Sequence, residues 1–122
     1  MKINLDQTQS AFAINAYGNG WANIGEHRVD RPCLVGPGTL DTDVLPSSPD
    51  ALTARDFDAM LKLMPEVLLL GTGATQQFID YKYTVYLAEQ GVALETMDTG
   101  AACRLFNVLL NEERAVVAAL FF

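Results

Sequence analysis

Basic residues are scarce in this 122-residue chain: eight Lys and Arg stand against fifteen Asp and Glu, a formal charge of −7. Without a Lys/Arg patch to neutralise phosphates, nucleic acid and anionic membrane surfaces are excluded as expected partners. Cysteine is nearly absent as well. Cys33 and Cys103 cannot build a disulfide framework, and with His27 as the one histidine a closed Cys/His zinc site is not available within one chain. Long apolar runs are missing: the longest clean one, Ala115 to Phe122, falls far short of the roughly 20 residues of a membrane span. The opening MKINLDQTQS has no apolar stretch of signal-peptide type. Together these absences predict a soluble, cytoplasmic protein with no membrane insertion, no metal and no cofactor.

What is present is apolar surface to bury. Half of the residues are hydrophobic, and a chain of this size hides roughly two-thirds of its unfolded surface, so a core forms without staples. A single domain over residues 1–122 is expected.

Residues 11 to 16 and 21 to 24 flank Tyr17-Gly18-Asn19-Gly20, whose Gly and Asn suit a tight turn, so a β-hairpin is predicted there. Cys33-Leu34-Val35 reads as a third short strand. Gly36 to Pro49, with three prolines, reads as a long surface loop. The next helix is well marked: Thr53 as N-cap, Asp56 three positions on, Leu52 and Phe57 as a hydrophobic staple, and Pro65 closing the segment. Phe57, Met60, Leu61 and Met64 are spaced to face a sheet. Val67 to Leu70 has the continuous apolar character of a strand covered on both faces, and Gly71-Thr72-Gly73 breaks it. A helix over 80–90, a strand over 92–96, a helix over 100–111 and a strand over 115–120 follow. The fold class is therefore α/β: three layers, a central mixed and mostly parallel sheet flanked by helices, with the N-terminal hairpin added at an edge.

In such sheets ligands bind beyond the carboxyl ends of strands. Gly71-Thr72-Gly73 and Met97-Asp98-Thr99 both follow strands; if those strands are parallel neighbours, the two turns open on one crevice. The Thr72 and Thr99 hydroxyls and helix N–H groups would then point into it as an anion or polar-ligand site. Simple strand termination and helix capping account for the same residues. Gly71-x-Gly73-x-x-Gln76, with Glu95 beyond, is a broken dinucleotide fingerprint that lacks its third glycine.

On the nearly all-apolar helix that follows, Arg104, Asn107 and Asn111 line one face at i, i+3, i+7. They form either a solvated stripe or one wall of the crevice. Cys103 lies early in that helix, where the macrodipole lowers a thiol pKa, yet no base accompanies it and a buried, inert thiol fits its apolar neighbours. Ser10, Ser47 and Ser48 show no nucleophile-elbow pattern. Asp41, Asp43 and Asp50 lack calcium-loop spacing. No catalytic residue is assigned.

LLLGTGATQQF at 68–78, GVALETMDTGAACRLFNVLLNEERAVVAAL at 91–120 and the AYGNG hairpin resemble the small α/β domain family of unknown function that includes mitochondrial respiratory complex I assembly factor 3 and the adipogenesis-associated domain protein. The resemblance implies a three-layer α/β fold around a mixed sheet and, by the mitochondrial relative, a non-enzymatic assembly role. The expected function is an interaction or assembly-factor-type protein. Its candidate partner-binding residues are Gly71, Thr72, Gly73, Gln76, Asp98, Thr99, Cys103, Arg104 and Asn107. The alternative is a binder of, or enzyme for, a small anionic ligand at the same crevice.

Overall fold

The computed structural model describes residues 1–4 and 12–122. Ser10 and Ala11, read above as loop and hairpin residues, lie outside them. Nine strands and three α-helices run in the order β1 (Lys2–Asn4), β2 (Ile14–Gly18), β3 (Trp21–Ile24), β4 (His27–Val29), β5 (Cys33–Gly36), β6 (Thr39–Asp41), α1 (Ala54–Leu61), β7 (Val67–Thr72), α2 (Tyr81–Glu89), β8 (Ala93–Met97), α3 (Thr99–Asn111) and β9 (Val116–Phe121) among the described residues.

A six-stranded sheet has the order β1-β6-β5-β9-β7-β8. Its residues alternate between two cores, as a pleated strand requires. Val67, Leu69, Val116, Ala118 and Leu120 point to the α3 side, where Phe106 and Leu109 meet them. Leu68, Leu70, Val117, Ala119 and Phe121 point to the other face, covered by Phe57 and Met60 of α1 and Leu87 of α2. The three-layer, mixed-sheet expectation holds. Its balance differs: parallel pairing joins β9 to β7 and β7 to β8, while β1–β6, β6–β5 and β5–β9 are antiparallel. The parallel part is the βαβ half of the chain, and the antiparallel part is the short-strand meander before it.

The N-terminal hairpin forms with the turn at Asn19-Gly20, since Gly18 already pairs with Trp21. It does not extend the edge of the large sheet. β4, which was missed, pairs with β3 to make a separate three-stranded sheet. Phe12, Ile14, Ala22, Ile24 and Val29 of this region share the core of α3. β6 was also missed. It lies inside the expected surface loop, turning back from β5 at Pro37-Gly38 so that Leu40 pairs with Val35 and is fully buried.

Helix α1 begins as read. The Asp56 carboxylate accepts the Thr53 N–H at 2.8 Å, and Leu52 and Phe57 are both buried. Met64 does not join the buried stripe. The helix has ended at Leu61, and Met64 sits 82% exposed in the left-handed region at φ 56°, because Pro65 next in line cannot continue a helix.

Candidate functional site

Parallel pairing of Gly71 with Met97 puts the two glycine- and threonine-bearing turns side by side at one end of the sheet. Asp98 caps α3 there, its carboxylate accepting the Ala101 N–H at 2.9 Å. Backbone approaches backbone closely at this point. A Cβ on Gly71 would come within 3.0 Å of the Thr99 Cα and 3.1 Å of the Leu120 side chain, so any larger residue must push its neighbours aside.

The threonine hydroxyls are committed to the scaffold. Thr99 Oγ1 donates to the Phe121 carbonyl at 2.5 Å and accepts the Gly73 N–H at 2.8 Å, tying α3 to the ends of β9 and β7. Thr72 is 1% exposed; its hydroxyl donates to the Thr75 carbonyl at 2.8 Å and accepts the Gln77 N–H at 2.9 Å. Gln76 reaches across to the Thr96 carbonyl of β8 at 3.0 Å. These side chains hold the two turns together and fix the floor beneath an opening.

That opening is a cleft of about 510 Å³ whose walls include Tyr17, Asn19, Gly73, Asp98, Thr99 and Arg104, with Phe121 and Phe122 also in its lining. Of the residues read from the sequence it brings together Gly73, Asp98, Thr99 and Arg104. Gly71, Thr72, Gln76, Cys103 and Asn107 stand outside it. Tyr17 is the residue the sequence reading missed. Arg104 Nη1 bonds its hydroxyl, and the guanidinium carbon lies 5.8 Å from its ring centroid. This hydrogen bond leads the causes that raise the Arg104 pKa, so the cation is held where α3 begins. The Tyr17 ring also lies over Gly100, whose missing Cβ would approach it at 3.0 Å.

Asn107 looks the other way. Its amide accepts the Ile14 N–H at 3.0 Å and donates to the Ile14 carbonyl at 2.7 Å, replacing a neighbouring strand at the edge of β2. Cys103 is fully buried, and burial pushes its thiol up to about 11, with Cys33 up to about 12. Neither is a thiolate near neutral pH, and the helix N-terminus does not overcome desolvation here. His27 lies in β4 beside a different hollow.

The broken dinucleotide fingerprint does not assemble. α2 starts only at Tyr81, so the glycine turn after β7 does not open a helix. Among the described residues, no group of three His, Cys, Asp or Glu is placed to hold a metal, and no helix is long and apolar enough to cross a membrane.

Comparison with known proteins gives a consistent result. A zebrafish protein named NADH dehydrogenase [ubiquinone] 1 alpha subcomplex assembly factor 3 is 32% identical over 98% of this chain and 70% of its own length. The chain spans 65–70% of the length of the fish, frog and human relatives of that name. A Francisella tularensis protein named 13 kDa major membrane protein is 34% identical over 95% of both chains. A crystal structure of a Bordetella parapertussis protein superposes with a TM-score of 0.85 at 33% identity, covering 93% of this chain and 98% of that one. Residues 14–121 match the family model described as "Protein of unknown function (DUF498/DUF598)", and with that match spanning most of its length, the chain belongs to this family.

Proposed function

We propose that the chain, acting as one domain over residues 1–122, is a non-enzymatic, cytoplasmic interaction protein of assembly-factor type. The cleft at the start of α3 receives a segment of its protein partner. The observation that carries the reading is the 32% identity with an assembly factor across 98% of the chain. Arg104 supports it. On a surface of net charge −7 this guanidinium is braced by Tyr17, and its remaining donors suit a carboxylate on the incoming segment. The test is affinity capture at native expression level, comparing the unaltered protein with Arg104→Ala. A stoichiometric partner lost in the variant is expected; the same partners recovered in both would overturn the role of Arg104.

A second reading rests on the cleft's size. About 510 Å³ lies within the range of small-molecule sites, and the Arg104 guanidinium on its wall suits a small anion. Thermal-shift screening separates the two readings, since a ligand at a hundred times its Kd adds about 2.7 kcal/mol. No shift across nucleotides, flavins and phosphorylated metabolites would remove the second.

A further inference from the structure

Helix α2 is lightly held. Of its residues only Leu87 is fully buried, with Tyr83 partly buried beside Phe57 at a ring-centroid distance of 4.8 Å. Its opposite face is apolar. Phe78, just ahead of the helix, is 88% exposed, Tyr81 73% and Val85 42%, and Ala88 is exposed too. Tyr81, Val85 and Ala88 fall at i, i+4, i+7 on one side of the helix, Phe78 lies exposed in the non-helical segment before it, and an apolar stripe of this kind facing water is an unpartnered helix face.

The charges beside the stripe identify the occupant. Lys82 and Glu89 both lie on one flank of the Tyr81-Val85-Ala88 stripe, seven positions apart and of opposite sign. In an antiparallel pair related by a twofold axis near Val85, the same flanks of the two helices face each other and run in opposite directions. Lys82 of one copy then meets Glu89 of the other, twice, while Tyr81 packs over the small Ala88 across the seam. In a parallel pair that flank would instead face the opposite flank of the other copy, and Lys82 and Glu89 would not meet. Lys82 is 66% exposed along its side chain; among the described residues it pairs with Asp80 at a long 3.9 Å and lies 5.2 Å from the Tyr83 ring centroid, exposed contacts that it exchanges to reach across.

We propose that this face of α2 is a self-association surface, on which a second copy of the chain packs antiparallel through Phe78, Tyr81, Val85 and Ala88. Two aromatic rings per copy, each about 150–250 Å² of surface, set the interface at the small end, that of a reversible dimer rather than an obligate one. α2 and α3 cover opposite faces of the sheet, so pairing through α2 leaves both clefts open and yields a particle with two of them.

Sedimentation velocity over a concentration series, at physiological ionic strength, tests this. The expected result is a weight-average mass rising from that of the monomer toward twice it, and Val85→Glu should hold it at the monomer value with unchanged circular dichroism. Lys82→Glu and Glu89→Lys should each weaken the dimer, and the double variant should restore it. Mixing the two single variants should produce a heterodimer. A monomer at every concentration up to about 1 mM overturns the proposal, as does a dimer indifferent to Val85→Glu or to the charge exchange.

Discussion

The side-chain amide of Asn107 in α3 satisfies both backbone groups of Ile14 in β2, at 3.0 and 2.7 Å, across 93 positions of sequence. A helix side chain thereby takes the place of a strand at the edge of the small sheet. This leaves Ile14 nothing to recruit from elsewhere, and it fixes the small sheet against α3.

Asn107→Leu therefore leaves one N–H and one carbonyl of Ile14 without their partner. Partly buried groups left in that state cost about 1–3 kcal/mol. Urea unfolding should show a loss of this size. Asn111→Leu, on the same stripe but exposed, should stay within about 0.5 kcal/mol of the unaltered protein.

The junction of β7, β9 and α3 should be equally intolerant. Gly71→Ala forces a methyl to 3.0 Å from the Thr99 backbone, an overpacking worth about 1–3 kcal/mol. Thr99→Val removes the hydroxyl that serves both Phe121 and Gly73 and should cost a similar amount, whereas Thr99→Ser should recover most of it. Equilibrium denaturation of the three variants checks the order.

Both cysteines make stability fall at alkaline pH. Burial raises Cys33 from its ordinary 9.0 to about 12 and Cys103 to about 11. Below pH 9 both thiols are protonated in the folded and unfolded chain, and their contribution is complete. As pH rises past 9 the unfolded chain releases protons that the fold retains, so stability drops until the folded thiols also ionise, by at most about 1.4 kcal/mol per pH unit for each. Melting temperatures from pH 8 to 11 should decline less steeply in the Cys33→Ala, Cys103→Ala double variant. A disulfide-forming thiol reagent at pH 8 should react only on unfolding.

Legibility in the sequence followed the range of the interactions. Thr53 with Asp56 and the apolar run before Gly71 are local, so α1 and β7 could be read directly. β4 and β6 are three residues each, too short for alternation to register, and Pro37-Gly38 looked like loop where it is a hairpin turn. At the candidate site the sequence marked both turns and Arg104. It could not mark Tyr17, because no pattern links a hairpin tip to a helix 87 positions later. The Thr72 and Thr99 hydroxyls were read as ligand groups because capping and turn chemistry identify only the residue type. Which carbonyl each one finds depends on β8 and β9 arriving alongside.

The place of β9 bears on how the chain assembles. It is the strand that joins β5 on one side to β7 on the other, yet it follows both in sequence by a long interval. On a ribosome the two halves of the sheet emerge with a bare hydrogen-bonding edge apiece, and they stay unjoined until Phe121 has cleared the exit tunnel. Until that moment these edges are open to strands of other nascent chains. A strand made later than both of its neighbours therefore closes the large sheet and ends the period in which those two edges stand open.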